Sequence, residues 1–122
     1  MITPQDLRIG NLVKYNGEFY AIKSFDEEHV VLKDNVLSEY YLDYIGYDEI
    51  EPIEITEEWL LKLGYEKDGD FFRIKNTRLA EAFIFKEGLS ICVHSFWLKH
   101  IKSIHQLQNL YFALTGKELE IK

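Results

Sequence analysis

Three histidines, His94, His100 and His105, fall within twelve positions, and the only cysteine, Cys92, lies two residues before the first of them. Imidazole and thiolate are common zinc ligands and common partners in nucleophilic pairs, so chemistry carried by this chain would be sought here first. On a strand, Cys92 and His94 share a face, because side chains repeat every second residue. His100 is then expected on the next strand and His105 in the first turn of the helix that follows. No HExxH or paired-cysteine spacing ties the four to one point. The residues therefore read as a small buried thiol with surface or edge imidazoles. Other chemistries fare no better. There is no G-x-S-x-G for a serine nucleophile, and all seven glycines are isolated, which gives no phosphate cradle. No Asp-x-Asp-x-Asp-Gly calcium loop is present, and carboxylates are too plentiful for any pair to be singled out as acid and base. No catalytic residue, metal or cofactor is expected, and the chain does not read as an enzyme.

Charge is better organised than chemistry. The formal charge is −7, yet residues 1–61 hold 14 Asp and Glu against four Lys and Arg, while residues 62–122 hold seven against ten. From residue 34 to residue 61 there are nine acids and no Lys or Arg. Such a field repels phosphate backbones and attracts basic surfaces. Asp48, Glu49, Glu51, Glu54, Glu57 and Glu58 are its densest part and the candidate docking residues for a basic protein. A nucleic-acid surface would need the second half instead, where Arg73, Lys75, Arg78, Lys99 and Lys102 supply cations. Trp59, Trp97, Phe112 and the tyrosines of residues 36–47 read as core in the main, with an exposed subset able to meet a partner.

These side chains must be positioned by a soluble α+β chain. At 122 residues, 47% of them hydrophobic and 15% aromatic, it has the apolar mass for a packed core and the length of about one domain. A single cysteine excludes an intramolecular disulfide. No apolar run approaches the roughly 20 residues of a membrane span, and the first ten residues lack a signal-peptide pattern, so the expected location is cytoplasmic. Thr3-Pro4-Gln5-Asp6 predicts one helical turn. Asn16-Gly17, between Leu12–Tyr15 and Glu18–Phe25, is a two-residue hairpin signal. His29–Lys33 predicts a third strand, residues 36–47 a loop or fourth strand, and residues 50–55 a closing strand with Pro52 at an edge. Short strands with tight turns over about fifty residues suggest an SH3-like small β-barrel or twisted sheet across residues 1–55.

Residues 56–122 predict a second part packed with the first. Thr56 caps a connector helix over residues 57–63, stapled by Ile55 and Leu60 and ended at Gly64. Strands are expected over residues 71–75, 78–86, 89–94 and 96–102, although residues 78–83 also carry helical propensity. Ser103 with Gln106 makes a capping box for a last helix whose apolar face is Ile104, Leu107, Leu110, Tyr111 and Leu114, ended by Gly116. Residues 118–121 could add a short strand. Gln106, Gln108 and Asn109 place three amides on this helix, able to bond neighbouring strands or a partner.

Residues 7–11 (LRIGN), 51–65 (EPIEITEEWLLKLGY) and 105–119 (HQLQNLYFALTGKEL) resemble, in order and position, a family of small uncharacterised proteins frequent in gut Bacteroidetes genomes and their phages or prophages. Members often show PIPLTEE and a Gly-Phe where this chain has Pro52-Ile-Glu-Ile-Thr-Glu-Glu58 and Gly64-Tyr65. The resemblance implies a bacterial or phage cytoplasmic setting and carries no catalytic residue over. The expectation is a non-catalytic interaction module whose partner is a basic protein. The alternative reading is a nucleic-acid-binding module using the basic second half; a second copy of the chain is a further candidate partner, and a membrane is not expected.

Overall fold

The computed structural model describes residues 2–34, 41–74, 81–85, 88–93, 96–119 and 121, with backbone alone for residues 81–85 and 88. The chain divides into two compact units, Met1–Ile53 and Glu54–Lys122.

In the first unit the expected turn forms as a 3₁₀ segment over Pro4–Asp6, where the Thr3 N–H donates to the Asp6 carboxylate at 2.9 Å. Five strands follow: β1 (Leu12–Tyr15), β2 (Glu18–Phe25), β3 (His29–Lys33), β4 (Tyr41–Gly46) and β5 (Ile50–Glu51). Their order is β4-β3-β2-β1-β5, antiparallel throughout. The Asn16-Gly17 hairpin forms with Tyr15 opposite Glu18, and both turn residues have positive φ, +53° and +82°. That is the type I′ geometry that suits twisted strands and that Asn and Gly adopt most readily. The closing strand is only two residues long, since Pro52 has no N–H to continue the ladder. Among the described residues β4 and β5 remain edges, so the strands form an open sheet rather than a closed barrel.

Two bulges decide which side chains reach the core. Between β2 and β3, Ile22 faces Leu32 but Ser24 faces Val31, so Lys23 is an extra residue. Tyr20, Ile22 and Phe25 consequently pack on the core while Phe19 is exposed. Between β3 and β4, Val30 faces Ile45 and Leu32 faces Leu42, again with one residue too many. Leu42 and Ile45 face inward, and Tyr44, at φ +56°, is thrown outward to 80% exposure. Each bulge inverts the alternation beyond it.

In the second unit Thr56 caps α1 (Glu57–Lys62), its hydroxyl accepting the Trp59 N–H at 3.2 Å, and Ile55 and Leu60 are both buried. The sheet runs β10-β9-β8-β7-β6, all antiparallel, from β6 (Tyr65–Asp68), β7 (Phe71–Ile74), β8 (Glu81–Phe85), β9 (Gly88–Val93) and β10 (Phe96–Leu98). The stretch with mixed propensity is extended from Glu81 onward, while residues 78–80 lie outside the described set. β10 stops at Leu98, so His100 stands in an exposed turn and not on a strand. Leu119 is buried without strand pairing among the described residues.

Helix α2 (Ile104–Thr115) is capped as expected, with the Gln106 side-chain oxygen accepting from the Ser103 and Lys102 N–H groups at 3.1 and 2.8 Å. Its buried face differs from the apolar periodicity. Ile104, His105, Leu107 and Gln108 are buried, whereas Leu114 and Phe112 are each 37% exposed. The Gln108 amide donates to the Leu119 carbonyl at 3.2 Å, which ties the returning chain to the helix and uses a polar side chain inside. Trp97 is 46% exposed, so it and Phe112 are not the core residues that their size suggested. No helix of the described residues is long and apolar enough to cross a membrane.

Candidate functional site

Among the described residues the cysteine and histidines do not assemble. Cys92 is buried on β9 opposite Trp97, His100 is exposed, and His94 lies outside the described residues. His105, expected at the surface, is 4% exposed, with Nδ1 3.1 Å from the Ser103 hydroxyl. That contact gives the imidazole a structural role at the start of α2. Among the described residues no three His, Cys, Asp or Glu side chains converge on a point able to hold a metal ion.

The acidic run is shared between the units. Asp48, Glu49 and Glu51 belong to the first, and Glu54, Glu57 and Glu58 to the second. Glu57 meets Lys67 at 3.3 Å and Glu58 meets Lys62 at 3.5 Å, so these two carboxylates have counter-charges on their own unit. Glu49 is partly structural: its carboxylate accepts the Gly46 N–H at 2.8 Å and closes the 3₁₀ turn Tyr47–Glu49. Asp48 and Glu51 are exposed. Counted by unit, residues 1–53 hold eleven acids against four cations, and residues 54–122 hold ten of each. The net charge of the whole chain therefore sits on the first unit.

Of the candidate nucleic-acid residues, Lys75 and Arg78 lie outside the described residues. Arg73 is engaged by Asp68 at 3.6 Å and stands 5.8 Å from the Phe71 ring. Lys99 and Lys102 come together on a cleft of about 490 Å³ whose walls include Glu54, Leu89, Leu98 and Ile101. Two cations, a carboxylate and an apolar floor do not by themselves define a phosphate track.

A second cleft, of about 320 Å³, opens on the first unit between Phe25, Asp26, His29, Val31, Asp43 and Tyr44. The β2–β3 turn builds one side. The Asp26 carboxylate accepts the N–H groups of Glu28 and His29, both at 2.8 Å, while the Asp26 N–H donates to the His29 carbonyl at 2.9 Å. The Tyr47 hydroxyl donates to the Asp26 carbonyl at 2.6 Å and pins the turn from the far side. The β4 bulge builds the other side, with the Tyr44 ring edge-on to His29, centroids 5.6 Å apart at 84°. Sequence reasoning missed this site because it arises from a bulge, which removes the alternation that would have announced the strand. Tyr44 among acids was the available signal.

The turn has a pH signature. Hydrogen bonds from the backbone of His29 first and Glu28 second hold the Asp26 carboxyl below the usual carboxylate range. A depressed folded-state value means that stability is present above the unfolded value, about 3.9, and is lost as pH falls through the folded one. Asp26→Ala is expected to be less stable than wild type near neutral pH and to show a shallower loss below about pH 4. Acid unfolding of the two proteins, followed by amide NMR of residues 26–29, measures this; parallel acid limbs would contradict it.

No protein-family model, curated protein or solved structure matches this chain.

Proposed function

We propose that the chain is a non-catalytic protein-interaction module that docks a basic partner through its first unit. The observation that carries this reading is the placement of the entire −7 charge on residues 1–53, with Asp43, Tyr44, Asp48, Glu49 and Glu51 all exposed. Aromatic rings among carboxylates suit contact with lysine- or arginine-rich surfaces, and the field accelerates encounter. The order β4-β3-β2-β1-β5, with a 3₁₀ turn leading into the last strand, supports an SH3-like reading of this unit. The resemblance carried by residues 7–11, 51–65 and 105–119 supports a cytoplasmic accessory role in a bacterium or phage.

Asp48→Lys with Glu51→Lys tests the docking surface while leaving Glu49 to hold its turn. Affinity for a lysine-rich model peptide at low ionic strength, read by fluorescence anisotropy, is expected to fall about tenfold or more. Glu57→Lys with Glu58→Lys is expected to change it less, since both carboxylates already have lysine partners. Equal affinity in wild type and the first variant would overturn the reading.

A nucleic-acid role is the second reading, favoured by the convergence of Lys99 and Lys102 on one cleft. It requires a gel shift that weakens with salt and disappears in Lys99→Glu with Lys102→Glu. The interaction-module reading expects no shift even at low salt.

A further inference from the structure

Tyr44 combines two costs. A bulky residue in the left-handed region is strained relative to ordinary backbone, and the residue is 80% exposed to water. The bulge explains why some residue must turn there so that Ile45 can face inward. It does not explain why that residue is tyrosine, since glycine or asparagine would bulge at lower cost. What the tyrosine adds is an aromatic ring in the lining of the cleft, edge-on to His29, with Phe25, Asp26 and Asp43 also among the lining residues.

Aromatic faces attract cations through the ring quadrupole, more strongly where carboxylates add to the potential. The same unit already uses this contact: Lys23 Nζ stands 3.5 Å from the Tyr41 ring centroid. Resting on the interaction-module reading, we propose that the cleft receives a lysine side chain of the basic partner. Its ammonium sits on the Tyr44 ring, and Asp26 and Asp43 supply the counter-charge. At Asp26, lysine is better suited than arginine. A guanidinium asks for a carboxylate edge with both oxygens available. One Asp26 oxygen already accepts two backbone N–H groups. A compact ammonium needs only a point acceptor and an aromatic face.

The test is an amide NMR titration of the full chain with a glycine-flanked lysine peptide and its norleucine and arginine counterparts, at low ionic strength. The lysine peptide is expected to shift residues 26–29 and 43–45 saturably, the norleucine peptide to shift none, and the arginine peptide to bind several-fold more weakly. Tyr44→Gly, which relieves the left-handed backbone, is expected to reduce lysine-peptide affinity about two- to fivefold. Tyr44→Leu keeps the strain and the apolar bulk, so it should show the same loss, and it decides the matter if the glycine variant disturbs the sheet. Lysine-peptide shifts confined to the surroundings of Asp48 and Glu51, or wild-type affinity in both Tyr44 variants, would overturn the inference and leave the module reading standing. Arginine binding equal to lysine would overturn the choice of lysine. Absence of any shift with both cationic peptides would remove the module reading together with this one.

Discussion

Phe72→Ala is expected to destabilise the second unit by about 3–5 kcal/mol, the largest single effect of any substitution considered. Phe72 is fully buried on β7, opposite Lys67 of β6 and Ala82 of β8. Leu60, Leu63, Ile91, Ile104 and Leu107 are equally inaccessible within the same unit, and truncating a large ring in a close-packed interior leaves a cavity that relaxes only partly. Both tryptophans, Trp59 and Trp97, belong to this unit, and their fluorescence during urea unfolding reports on it selectively. A midpoint shift with unchanged slope is the expected form of the result. A loss under about 1 kcal/mol would show that Phe72 does not fill the core as described.

Asn11→Ala is expected to cost the first unit about 1–3 kcal/mol. Asn11 is 1% exposed, and its side-chain oxygen accepts the Arg8 N–H at 2.7 Å. The same turn is stitched to β2 on both sides: the Gly10 N–H donates to the Ile22 carbonyl and the Ile22 N–H to the Asn11 carbonyl, each at 2.8 Å. Deleting the amide removes a buried acceptor beside the strand that organises the sheet. Asn11→Asp keeps that acceptor but places a carboxylate in a buried position, so it is expected to be destabilised at neutral pH as well. Gly10 has φ +95° and open space where a Cβ would stand, so Gly10→Ala carries a backbone penalty alone, about 1 kcal/mol. Hydrogen exchange of β1 and β2 amides measures all three, and Asn11→Ala indistinguishable from wild type would contradict the role given to this turn.

The LRIGN string therefore has a structural reason for its residues. Leu7 enters the core, Gly10 turns the chain, and Asn11 closes the turn. The capped helices were equally legible, because Thr56 and Ser103–Gln106 act through contacts local in sequence. Legibility failed where pairing overrides alternation. Apolar and polar residues fail to alternate in β2 because Lys23 is inserted, and in β4 because the extra residue at the bulge separates Leu42 from Ile45 by three positions instead of two. The strand β6 was missed because Glu66, Lys67 and Asp68 are all exposed and only Tyr65 is buried. On α2, side-chain type suggested Leu114 inside and His105 outside, yet packing selects the first two turns of the helix and accepts the imidazole. For the candidate site, the acidic composition was plain from the residues. The cleft was not, because two bulged strands and a turn had to be assembled before Tyr44 and Asp26 became neighbours across it.

The bulge at Tyr44 also separates two jobs that most strand positions must do at once. The inward neighbour, Ile45, answers to the hydrophobic interior, while the outward ring meets His29 edge-on and is otherwise largely exposed. Substitutions there are thus filtered by what the ring meets in solution rather than by whether the domain folds. On the interaction-module proposal, exchanging that one side chain would change what the module prefers to bind while the scaffold below stays the same.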